Sequence, residues 1–139
     1  FQLLRKSIQG LMDETDPGVV QEVVDILQPR RQPEWIDIHN LRVQKFGTFY
    51  HVDCHVTLPY YFQLQEVHDS ITHIDQLLNQ EFSKGSIEFF IHTDPCIETS
   101  CAHCTLLNCP VRKHPFVQVI PWTVQNVMPN RKHVADYSG

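Results

Sequence analysis

Residues 48–58 read Thr48-Phe49-Tyr50-His51-Val52-Asp53-Cys54-His55-Val56-Thr57-Leu58. Side chains alternate between the two sides of a strand, so Tyr50, Val52, Cys54, Val56 and Leu58 share one face while His51, Asp53 and His55 share the other. The first set is apolar and faces a core, with Cys54 a small inward residue. The second faces outward and carries ligand atoms. Pro59 closes the strand. Upstream, residues 35–44 form another β-rich run, and Lys45, Phe46 and Gly47 between the two runs give a hairpin signal. Downstream, residues 86–93 set Ile87, Phe89 and Ile91 against Glu88, Phe90 and His92, and Pro95 ends this third strand.

Two helices flank these strands. Asp16 followed by Pro17 is a capping residue before a proline at the first helical position, and Val19, Val20, Val23, Val24 and Leu27 follow at helical spacing until Pro29. Over residues 63–82, Leu64, Val67, Ile71, Ile74 and Leu78 recur at steps of three and four, giving one apolar stripe on a long helix, with Gly85 at its exit. The order helix, strand, strand, helix, strand predicts a two-layer α+β domain with both helices on one face of the sheet.

The 139 residues carry 11 Lys plus Arg against 16 Asp plus Glu, and 42% are apolar. That is enough to bury one core, and too acidic, without a basic stripe, for phosphate-backbone binding; nucleic acid is excluded as an expected partner. No apolar run approaches the roughly 20 residues of a membrane span. Nine His and five Cys in so short a chain point to divalent metal, because imidazole and thiolate are the principal ligands of zinc and its neighbours. His51, Asp53 and His55 share a strand face, as do His92 and Asp94; Asp37 and His39 are i, i+2 partners on the first strand, and His68 lies beside the apolar stripe of the long helix.

Leu11-Met12-Asp13, Asp37-Ile38-His39-Asn40-Leu41, Gly47, Cys54-His55-Val56, Glu66-Val67-His68 and Ile91-His92-Thr93-Asp94-Pro95 occur in an order and spacing that resembles the C-terminal cytoplasmic domain of cation diffusion facilitator transporters, over about residues 8–96. The resemblance implies a metallochaperone-like (ferredoxin-like) fold over residues 15–95, a linker from a membrane domain over 1–14 with Asp13 as a linker contact, and a homodimer on the cytoplasmic face of the inner membrane. It implies that the full-length protein, with its attached transmembrane domain, exchanges zinc or a related divalent ion for protons. His39, His55 and Asp94 would form one metal site, and His92 and Asp94 with His68 of a second protomer an adjacent one, Asp94 bridging. The role so implied is regulatory and not enzymatic: metal bound between protomers favours a closed dimer, with affinity falling below roughly pH 6.5 as protons compete for imidazole.

Residues 96–139 differ in composition. Cys96, Cys101, Cys104 and Cys109 follow the pattern Cys-x4-Cys-x2-Cys-x4-Cys, compact enough for four thiolates to close around one zinc ion. Replacement of one thiolate by His103 or His114, an Fe–S cluster, and free thiols are the alternatives; disulfides do not suit a reducing compartment. Trp122, Val124 and Val127 are expected to pack back onto the domain, Arg112 and Lys113 to be a solvated pair beside the thiolates or a charge that offsets them, and residues 130–139 to be a weakly ordered terminus. A free-standing metallochaperone is the competing reading, although such carriers present their Cys-x2-Cys near the first strand. A hydrolytic zinc enzyme is the third, and no open zinc site with a placed base is visible in the sequence.

Overall fold

The computed structural model describes residues 16–135; the expected linker 1–14, Asp13 included, lies outside the described residues. Helix α1, Pro17–Leu27, begins where Asp16 accepts a hydrogen bond from the Gly18 amide at 2.8 Å. It buries Val19, Val20, Val23, Val24, Ile26 and Leu27 and gives way at Gln28–Arg30 to a 3-10 turn containing Pro29. Strands β1, Asp37–Phe46, and β2, Phe49–Leu58, pair antiparallel. The hairpin turn is Gly47-Thr48, two residues later than the sequence signal placed it: Lys45 and Phe46 belong to β1, opposite Tyr50 and Phe49. Gly47 has φ +63°, the conformation a tight hairpin with glycine first demands. Helix α2, Leu64–Glu81, then crosses over to β3, Ser86–Pro95, which runs parallel to β2, as a parallel pair requires. The sheet order is β1-β2-β3, so β2 is the central strand.

The core forms where α1 and α2 meet Ile38, Leu41, Val43, Tyr50, Val52, Cys54, Val56 and Leu58 on one side of the sheet. The apolar face of α2 is packed from Val67 onward, through Ile74 and Leu78; Leu64, expected in the stripe, is 84% exposed because the first turn outruns the packed face.

Strand β1 contains a bulge. His39 pairs with His55 and Arg42 with Asp53, so Asn40 and Leu41 together oppose Cys54. Asn40 takes φ +50°, the left-handed conformation Asn tolerates. The extra residue lets Ile38 before it and Leu41 and Val43 after it all face the core, while Asp37 and His39 face the other side with His55.

Beyond β3 the chain makes a 3-10 turn, Glu98–His103, an irregular stretch, and a short helix α3, Val124–Val127. Trp122 and Val127 join the core and Val124 packs against it. Arg31 fastens this return: it donates to the carbonyls of Ile120 (2.7 Å) and Ile36 (2.8 Å) and stacks on Trp122 at 4.1 Å. Burial lowers the Arg31 pKa to about 10, with the Asp37 charge opposing. The Asn40 amide donates to the Pro129 carbonyl at 2.8 Å, so the returning chain meets the free edge of β1 at its bulge, where that amide would otherwise be unpaired. Residues 130–135 are not the loose terminus the sequence suggested. His133 and Ala135 are buried, and the His133 amide donates to Asp37 Oδ2 at 3.2 Å. A fully buried carboxylate needs donors, and the terminal segment supplies one.

Candidate metal centre

The side of the sheet opposite the helices gathers the histidines of all three strands. Asp94 Oδ2 lies 3.0 Å from His39 Nε2 and 3.0 Å from His55 Nδ1. Among the described residues, His39, His55 and Asp94 are the only set of three or more His, Cys, Asp or Glu whose ligand atoms all lie within 4.8 Å of one another. Register explains the meeting. His39 pairs with His55, and Thr57 with Asp94, so the three converge across all three strands, with the Asn40 bulge just beyond His39.

The donor arithmetic at this cluster is unusual. His39 Nδ1 sits 2.7 Å from Asp37 Oδ1, which also accepts from the Thr57 hydroxyl at 2.8 Å. Asp37 is fully buried and His39 nearly so, at 0% and 3% exposure. A neutral imidazole has one N–H; donated to Asp37, it leaves Nε2 as a lone pair facing the Asp94 carboxylate. Two acceptors at 3.0 Å repel unless a proton or a cation lies between them. A carboxylate that orients a histidine through its far nitrogen is the arrangement that supports metal-ligating imidazoles. Burial pushes the Asp37 carboxyl up, but the His39 hydrogen bond, the His133 charge and the Thr57 hydroxyl outweigh it and hold it below the ordinary carboxylate range. Asp94 behaves alike: burial raises it, and the His55 hydrogen bond together with Lys132, His55 and His39 brings it below the usual value. Two nitrogens and one ionised carboxylate are a donor set that suits zinc and neighbouring first-row ions.

The remaining expected ligands stand apart from this cluster. His92 is exposed and stacks on His55, ring centroids 5.0 Å apart. His68 is exposed on α2, in the helical layer, on the other side of the sheet from His92, so within one chain the two do not meet. His51 lies 3.4 Å from Glu88 and 3.8 Å from Asp53. Cys96, Cys101, Cys104 and Cys109 line one small cavity of their own. Cys54 is fully buried in the core, and burial drives its thiol far up.

Three contacts escaped the sequence reading. The Lys132 ammonium lies 3.7 Å from Asp94 Oδ2, a cation from the terminal segment beside the cluster. His133 and His103 are buried, His103 Nε2 donates to the His133 carbonyl at 2.8 Å, and burial lowers the pKa of both imidazoles. Arg112 is no solvated partner of Lys113: its guanidinium donates to the carbonyls of Cys101 (2.7 Å), Cys104 (2.8 Å), Leu106 (3.0 Å) and His114 (3.1 Å). Nothing local in the sequence signals the first two; the position of Arg112 inside a cysteine-rich loop could have signalled the third.

Residues 15–96, which include the sheet, both helices and the three clustered side chains, match the family model described as the cytoplasmic domain of cation efflux proteins. The chain belongs to that family. Among solved structures it is similar to that of a zinc transporter named CzrB in its zinc form, with 24% identity, a TM-score of 0.53 and coverage of 60% of this chain and 93% of the other. A second CzrB structure matches at 17% identity and a TM-score of 0.48, covering 58% and 99%. No curated protein matches the chain. The first likeness establishes the α+β fold of the domain; residues beyond 96 are outside the family match. Among the described residues no helix is long and apolar enough to cross a membrane.

Proposed function

We propose that this chain is the metal-sensing, dimerising cytoplasmic domain of a zinc efflux transporter, and that His39, His55 and Asp94 hold the sensed ion. The observation that carries the reading is the convergence of His39 Nε2 and His55 Nδ1 on Asp94 Oδ2, each at 3.0 Å. A bound divalent cation would take these three ligand atoms. Asp37, held in turn by the Thr57 hydroxyl, backs the far nitrogen of His39 at 2.7 Å, and the β2–β3 register fixes His55 against Asp94. The family's cytoplasmic role and the zinc form of the CzrB relative support zinc as the ion. His92, stacked beside this cluster, and Asp94 are proposed to form a second site with His68 of a partner protomer. Ligands on both protomers would let metal favour one dimer geometry over another, and so bias an attached transmembrane domain that exchanges metal for protons.

Equilibrium titration of the chain with Zn²⁺ against a chromophoric competitor, alongside scattering profiles with and without Zn²⁺, tests this. The expected result is a site lost in H55A and D94N and a metal-dependent profile that requires His68. Unchanged affinity in both variants would overturn the ligand assignment, and superimposable profiles would overturn the sensing role.

A further inference from the structure

The irregular stretch after β3 is held by very little regular hydrogen bonding. From Thr105 to Pro121 there is no helix or strand, yet Cys101, Cys104 and Cys109 return to meet Cys96, which leaves β3 with its amide bonded to the Leu58 carbonyl at 2.9 Å. All four thiols are free and line one cavity of about 20 Å³ together with Ile36, Pro59, Leu106 and Arg112. That space admits one water-sized object.

An amide donor and a cation stand beside the sulfurs. The Tyr60 amide donates to Cys96 Sγ at 3.4 Å. Arg112 draws the carbonyls of Cys101 and Cys104 together with one guanidinium and brings positive charge to the loop. Amide-to-sulfur hydrogen bonds and a nearby cation offset the charge of metal-bound thiolates. Neither histidine of the loop competes for the cavity. His103 faces the His133 carbonyl, and His114 lies 3.5 Å from Glu98 at the surface.

We infer that Cys96, Cys101, Cys104 and Cys109 form a separate metal site, independent of the histidine and aspartate sites, which takes one borderline-to-soft divalent cation such as zinc as a structural staple. Tetrahedral zinc thiolate with bonds of about 2.3 Å places sulfurs about 3.8 Å apart. No three of the free thiols lie within 4.8 Å of one another, so the four are not yet closed to that spacing. Binding draws them inward around the cavity.

The test is metal analysis of the 139-residue chain, purified reduced and anaerobically and dialysed against a mild chelator. One zinc per chain is expected in the unaltered protein and in the H55A/D94N double variant, and none in C101S/C104S. Reconstitution of the chain with Co²⁺ should give the near-ultraviolet charge-transfer absorption and the tetrahedral d–d bands of a cobalt thiolate. C109S, which keeps three thiolates, should shift those d–d bands while leaving the far-ultraviolet circular dichroism unchanged, which separates ligation from folding. Iron with acid-labile sulfide, a disulfide among the four, or metal-free chains with four thiols reactive toward a disulfide reagent would each overturn the inference. So would a retained zinc that disappears in H55A/D94N.

Discussion

Replacing Lys132 by Gln should tighten metal binding at the His39, His55 and Asp94 cluster. The ammonium stands 3.7 Å from Asp94 Oδ2, the oxygen that both imidazoles face, and acts as a tethered monovalent rival of the incoming ion. At 3.7 Å a unit-charge pair is worth about 4.5 kcal/mol at an effective dielectric of 20 and about 1.1 kcal/mol in bulk water. Both side chains are about a quarter exposed, 22% and 25%, and the lysine stem can swing its charge into solvent, so the lower part of that range applies. A gain of about 1–2 kcal/mol corresponds to a dissociation constant lower by roughly 5- to 30-fold. The assay is competition between the chain and a zinc indicator at neutral pH, repeated at raised ionic strength, where screening should narrow the difference. In a D94N background the K132Q effect should vanish. Equal or weaker zinc binding by K132Q would refute the view of Lys132 as a competing cation.

Acidity should loosen the terminal segment in two steps. His103 and His133 have folded pKa values lowered by burial, so the unfolded chain takes up protons first and stability falls as pH drops below about 6.5. Asp37 is depressed in the folded state, so its contribution is present above about pH 3.9 and is lost as pH falls further, through the folded value. Thermal melts in chelator, between pH 7.5 and 3, should show both declines, and a midpoint constant from pH 7.5 to 5.5 would contradict the first. Arg112→Lys keeps the charge but loses the planar fork that reaches four carbonyls. It should cost about 1–3 kcal/mol and open residues 104–114 to proteolysis; a cleavage pattern identical to that of the unaltered chain would argue against the brace. Gly85 has φ +149°, and an added Cβ would stand 2.2 Å from the Thr48 carbonyl oxygen. G85A should therefore lose about 3 kcal/mol in urea unfolding, and a loss below about 1 kcal/mol would show that the β2–β3 region yields more readily than its geometry implies.

The strands could be read from their own residues because their two faces differ so sharply. Val52, Cys54 and Val56 against Asp53 and His55 admit one orientation, and the open face of β2 followed directly. The Asn40 bulge was visible only as a step of three from Ile38 to Leu41 where a strand should step by two. His39 reaches the cluster in register with His55, yet its inclusion rested on family likeness, since parity alone does not bring β1 against β3. The turn came two residues late because Lys45 and Phe46, exposed at the hairpin's end, carry no alternation to claim them for β1. What stayed hidden joins distant parts of the chain: Lys132 to Asp94, the His133 amide to Asp37 across 96 positions, Arg31 to Ile120. Such contacts depend on where the returning chain lies, and no local pattern of charge or hydropathy encodes that.

The covering of the β1 edge by residues 122–135 changes what counts as the smallest viable piece of this protein. The segment shared with the family ends at 96, but the buried Asp37 carboxylate, the Asn40 amide and the Arg31 guanidinium all find partners beyond it. A chain cut at that boundary would keep the five elements of the shared fold and lose the lid on one side of its sheet. The Asn40 amide at the bulged edge would then be free to pair with other copies, so the shortened form should be more prone to aggregate than the longer one.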